Sequence, residues 1–85
     1  MYDYPLEPDW STEEIIEVVG LYNAVEQAYE EGISSKEFME HYCAFTSIAD
    51  SKALQKQLDK AFEEASGYSI YKVFKRSQEE EWVKL

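Results

Sequence analysis

His41 and Cys43 are the only histidine and the only cysteine in the chain, and a thiol two residues from an imidazole suggests a nucleophile with its base. Positions two apart on a helix point about 200° away from each other, so within one helix the pair cannot share a proton. A metal centre built on helices needs several convergent ligands, and one histidine cannot furnish the paired Glu-x-x-His sets of a di-iron site. Carboxylate-only binding of Mg2+ or Ca2+ would need a loop signature that the sequence lacks. His41 is therefore expected on a solvated flank beside Glu37 and Glu40, and Cys43 as a small half-buried filler. Glu13 with Glu17, and Glu26 with Glu30, stand four apart and so share a helix face, a spacing that can frame an acid and a base. Without a recognisable pocket around them they read as a solvated acidic face, whose functional use would be electrostatic docking. No Gly-rich phosphate cradle and no Ser-His-Asp set is visible, so no catalytic, cofactor-binding or metal-ligating residue is assigned.

The elements that must position these side chains are written in capping chemistry. Ser11 with Glu14 and Ser34 with Glu37 match the reciprocal box in which each side chain satisfies a backbone N–H of the other. Trp10 with Ile15, and Ile33 with Phe38, would staple those starts from outside. Asp50 or Ser51 can cap a third helix and Ser69 a fourth, while Gly32 and Gly67 supply natural stops. Apolar residues recur at helical spacing between the caps: Ile15, Val18, Tyr22, Val25 and Tyr29; then Phe38, Tyr42, Phe45 and Ala49; then Leu54, Leu58, Ala61, Phe62 and Ala65; then Ile70, Val73 and Phe74. The pattern predicts helices over about 12–31, 35–49, 51–66 and 70–82, with no competing strand. The short connections fold them into one compact all-α bundle spanning residues 1–85.

An 85-residue chain buries only ~60 to 65% of the surface its unfolded form exposes, so its core is hard to close. That gives the opening "YPLEP" a structural role. Although it matches PxxP, its neighbours are acidic rather than basic, and Tyr2, Tyr4, Leu6 and Trp10 are expected to cover an open edge of the bundle. The net charge is -10, and the first 35 residues hold nine carboxylates and no Lys or Arg. Such a surface disfavours nucleic acid and anionic membranes as partners. The rival pattern is the basic set Lys52, Lys56, Lys60, Lys72, Lys75 and Arg76 on the third and fourth helices, arranged as a helix-turn-helix regulator would need. A single cysteine and no apolar leader point to the cytoplasm.

Two features remain without a role in helix grammar. Tyr68 and Tyr71 straddle the last junction and are expected either under the opening arm or as aromatic anchors for a partner. Gly20 falls on the expected outer side of the first helix, where glycine costs ~1 kcal/mol relative to Ala. The reading is a non-enzymatic protein-binding module, with Glu13, Glu17, Gly20, Tyr68 and Tyr71 as the candidate partner surface. The stretches "YPLEPDWSTEEI", "VEQAYEEGI" and "EEASGYSIYKVFK" together resemble the small YktA-like family of uncharacterised proteins from low-GC Gram-positive bacteria, over nearly the whole chain. The resemblance implies a small all-helical cytoplasmic domain and brings no activity, cofactor or catalytic residue. Where similar sequences have Pro after Ser69, this one has Ile70, which keeps the cap but removes Pro from the first helical position.

Overall fold

Four serines start four helices. In the computed structural model, which describes residues 4–85, these are α1 (Thr12–Glu30), α2 (Ser35–Ile48), α3 (Lys52–Ser66) and α4 (Ile70–Ser77). The Glu14 N–H donates to the Ser11 hydroxyl (3.2 Å) and the Ser11 N–H donates to the Glu14 carboxylate (2.8 Å), completing the expected box. Ser34, Ser51 and Ser69 each accept the N–H three residues on, which satisfies one orphan donor per helix. Only the α1 box is reciprocal: at α2 the Ser34 hydroxyl accepts the Glu37 N–H, and no bond is returned from the Glu37 carboxylate. Gly67 caps α3 at φ +82°, and Gly32 follows α1 at φ +102°.

The core is a single apolar cluster to which every helix contributes. The buried face of α1 comprises Val18, Leu21, Tyr22, Ala24, Val25 and Ala28. This is broader than the expected stripe because α1 packs against α2, α4 and the strand that follows it. From α2 come Phe38 and Phe45, with Ala49 at its C-cap; α3 contributes Leu58 and Phe62, and α4 contributes Ile70 and Val73.

The all-α expectation holds for the body of the fold, with one departure. Ile33–Ser34 (β1) pairs antiparallel with Trp82–Val83 (β2), with Ile33 opposite Val83, and α4 stops at Ser77 rather than continuing to 82. Three consecutive carboxylates, Glu79 to Glu81, would face the negative end of the helix dipole. The chain instead turns, with the N–H groups of Glu79 and Glu80 both donating to the Arg76 carbonyl, and places Val83 beside Ile33, both without exposed surface. The Leu85 N–H then donates to the Ala28 carbonyl (3.0 Å) at the end of α1. Val83 is the anchor of this return, while Trp82 is 58% exposed and lays its indole over Gly32.

The opening arm lies on the bundle. Tyr4 stacks on Tyr22 (centroids 5.3 Å apart) and leans on Phe62 (6.1 Å), while its hydroxyl donates to the Glu26 carboxylate (2.9 Å). The fully buried Tyr22 donates its hydroxyl proton to the Pro5 carbonyl (2.7 Å). Trp10 packs against the core, while Leu6 is 41% exposed and Tyr2 lies outside the described residues.

The two positive-φ glycines should respond differently to substitution. A Cβ on Gly67 meets nothing within 4 Å, so Gly67→Ala carries only the left-handed backbone cost of ~1 kcal/mol. A Cβ on Gly32 would come within 2.5 Å of the Trp82 indole. Urea denaturation should therefore show Gly32→Ala to be the more destabilising, by roughly 2 to 4 kcal/mol. Equal losses would mean that Trp82 does not close over Gly32.

Candidate functional site

Between α2, α3 and α4 the bundle leaves a groove of about 380 Å3. Its apolar lining is built from two of them: Tyr42 and Phe45 from α2, and Ile70 and Phe74 from α4, with Tyr42 stacked on Phe74 at 4.5 Å. Tyr71 stands at the lip, 58% exposed. The α3 wall is polar and carries Lys52, Lys56 and Asp59 at successive turns. Four-residue spacing on α2 (Phe38, Tyr42, Phe45, Ala49) aims one stripe inward, and Tyr42 is only half-buried because that stripe meets the groove.

Asp59 is the structural polar group of the site. Its Oδ1 accepts the Ile70 N–H (2.8 Å), so a side chain of α3 caps the first turn of α4 beside the Ser69 cap. Burial pushes the Asp59 carboxyl above the usual aspartate value; the bonds from the Ile70 and Tyr71 N–H groups pull it partly back, and the neighbouring Glu63 pushes it up again. Burial also raises the Tyr42 phenol, with the Asp59 charge next in effect.

The structure separates the residues expected to form one partner surface. Glu13 and Glu17 are exposed on α1, beside a 64% exposed Ile16, and no α1 residue lines the groove. Gly20 does not face outward. It sits where α1 meets α2, and a Cβ there would stand 3.2 Å from the His41 Nδ1. The missing side chain is what admits the half-buried imidazole, so His41 is not on a free flank either. Tyr68 does not lie under the arm: it stacks on Tyr29 at 4.4 Å and donates to the Glu30 carboxylate (2.9 Å), a bond that, with burial, raises its phenol pKa. Only Tyr71 reaches the groove, where it joins Lys52 and Lys56 of the basic set. Lys60, Lys72 and Lys75 point elsewhere, and Arg76 pairs with Glu80 (3.3 Å).

Cys43 is exposed rather than half-buried, and its carbonyl accepts the Thr46 and Ser47 hydroxyls. Among the described residues no three His, Cys, Asp or Glu side chains converge as a metal site requires, and no helix is long and apolar enough to cross a membrane. Sequence reasoning assigned Tyr42, Phe45, Ile70 and Phe74 wholly to the core. The available signal was Asp59, a carboxylate directly after Leu58 on the edge of an apolar stripe, where an ionisable group needs a specific partner.

The profile of the Uncharacterised protein family UPF0223 matches residues 1–85. A UPF0223 protein of Bacillus cytotoxicus is 48% identical over 84 residues, covering 99% of this chain and 94% of that protein. A UPF0223 protein of Streptococcus thermophilus is 46% identical over 80 residues (94% and 86%), and one of Staphylococcus haemolyticus is 47% identical over 72 residues (85% and 80%). These sources are the low-GC Gram-positive bacteria to which the sequence resemblance pointed.

Because the folded carboxyl of Asp59 titrates above its unfolded value of 3.8, the unfolded chain loses its proton first, and ionising Asp59 reduces stability as pH rises through that interval. Asp59→Asn keeps an acceptor for the Ile70 N–H without the charge. Chemical denaturation at a series of pH values should show the stability difference moving toward the Asn variant as pH climbs from 3.8, then levelling. A pH-independent difference would contradict this account of the site.

Proposed function

We propose that this chain, which belongs to the Uncharacterised protein family UPF0223, is a non-enzymatic protein-binding module that seats its partner in the groove between α2, α3 and α4. The observation that carries the proposal is an aromatic lining left open in a chain with very little apolar surface to spare: Tyr42, Phe74 and the exposed Tyr71 line a concavity instead of closing it. Tyrosine at the lip of such a depression is the residue type on which binding energy concentrates, because it offers large, rigid area at low entropic cost.

The groove's one carboxylate supports binding rather than catalysis, since Asp59 is already bonded to the α4 backbone. The nucleic-acid reading is second. Of the basic set, Lys52 and Lys56 border the groove and Arg76 is paired with Glu80, so the six cations do not form a continuous stripe. The nine carboxylates of the first 35 residues oppose a polyanion at long range.

The test is retention of partner proteins from a native lysate on three immobilised chains: the unaltered protein, Tyr71→Asp, and Ile16→Asp as an equally exposed apolar control away from the groove. A partner retained by the first and third should be lost about tenfold or more from the second. Equal retention on all three would reject the groove as the docking site.

A further inference from the structure

We infer that the groove takes a short acidic amphipathic segment of a partner protein, which lays an apolar side chain on Phe74 and Tyr71 and directs a carboxylate at Lys52 and Lys56. The inference rests on the docking role proposed for the groove and adds the chemistry of the occupant.

Two lysines at the groove provide the first argument; like the other lysines they form no ion pair among the described residues, and what sets them apart is that both border the aromatic depression. The chain holds 18 Asp and Glu against 8 Lys and Arg, so most cations have carboxylates to choose from. Among the described residues, however, the ion pair formed is Arg76 with Glu80, and neither Lys52 nor Lys56 has a carboxylate within pairing distance. They stand one turn apart on the same side of α3 and both border the aromatic depression. An anion arriving from outside finds two ammonium groups, and the groove's one carboxylate, Asp59, is already bonded to the Ile70 N–H.

The wall also has a polarity that orients the occupant. Lys52, Lys56 and Asp59 follow one another along about 10 Å of helix, at 1.5 Å per residue. The Asp59 carboxylate, held by the N–H groups at the start of α4, repels a second carboxylate at its end of the groove. The acidic group of the occupant is thereby confined to the Lys52 end, and the uncharged contact falls on Phe74 and Tyr71.

Size and net charge select the class of partner. A depression of about 380 Å3 admits one or two large side chains, and a 10 Å wall matches two turns of a peptide helix, the helix-in-groove mode of recognition. Nucleic-acid binding neutralises many phosphates at once and would have to overcome a net charge of -10. A short segment with one or two carboxylates meets Lys52 and Lys56 at contact distance, where the remaining carboxylates of the chain are screened beyond a Debye length of about 8 Å.

The probe is a displayed library of random peptides, each about twelve residues long, selected on the full chain; binding of the selected peptides is then measured by fluorescence anisotropy. Three variants are compared: Lys52→Glu with Lys56→Glu; Lys36→Glu with Lys84→Glu, which changes net charge equally at exposed positions outside the groove; and Tyr71→Asp. Circular dichroism checks that each is folded. The expected peptides pair an aromatic or leucine side chain with Asp or Glu within one turn. They should bind at least tenfold more weakly to the Lys52/Lys56 and Tyr71 variants, and change less than about threefold with the Lys36/Lys84 variant. Peptides sensitive to Tyr71→Asp but indifferent to the Lys52/Lys56 reversal would overturn the acidic occupant and leave the groove reading standing. Peptides insensitive to Tyr71→Asp would overturn both. Selection of basic peptides, of no peptide, or self-association of the chain through the groove would equally overturn the inference.

Discussion

A cluster of three rings, Tyr4, Tyr22 and Phe62, each touching the other two, ties α3 to α1 and to the arm. Tyr22 and Phe62 stack at 4.6 Å with their planes within 13° of parallel, and Tyr4 leans on both from the arm. Along the backbone α3 approaches α4, and Phe62 links it through ring contacts to Tyr22 of α1 and to Tyr4 of the arm. Aromatic stacking of this kind contributes roughly 0.5 to 1.5 kcal/mol per pair beyond the burial of the rings. It also depends on the arm, because Tyr22 is fully buried and the Pro5 carbonyl accepts its hydroxyl proton. Burial, followed by the charges of Glu7 and Asp59, holds that phenol far above the ordinary tyrosine range, so it remains a donor at any physiological pH.

The groove follows from the same constraint. Rings hold α3 to the body at one end, and Asp59 pins it to the start of α4, while α2 faces α4 through the Tyr42 and Phe74 stack. No large side chain fills the space enclosed by these three links. Aromatic spacers therefore do two jobs in a chain too short for a thick core: they bury area, and they hold helices far enough apart to leave a groove. The four residues from Trp82 to Leu85 close the opposite corner by pairing with β1 and bonding to α1, which frees α4 to end early.

How much of this was legible in the sequence depends on the range of the interaction. Ser11, Ser34, Ser51 and Ser69 could be read because a cap is settled within three residues, and Gly32 and Gly67 because a left-handed turn is a local demand. The β1 and β2 pair could not be read, since Ile33 and Val83 lie 50 positions apart and two-residue strands leave no alternation to detect. Gly20 was misplaced for a related reason: its use is defined by His41 on another helix. Tyr42 and Phe74 matched the core pattern because a groove lining and a core stripe share the same helical period; only the packing of a third helix tells them apart. The Glu13 and Glu17 face was legible as exposed, but whether it shares a surface with Tyr71 is a tertiary question, and α1 does not line the groove.

The groove lies between α2, α3 and α4, and the arm is part of the scaffold that keeps α3 in place. The most direct test is the thermal unfolding of Tyr4→Ala beside the unaltered chain. Removing the outer ring should lower Tm by roughly 5 to 10 °C, given that ~1 kcal/mol shifts a domain of this size by about 4 to 8 °C. An unchanged Tm would mean that the three-ring cluster does not hold α3, and that the groove is held open by something else.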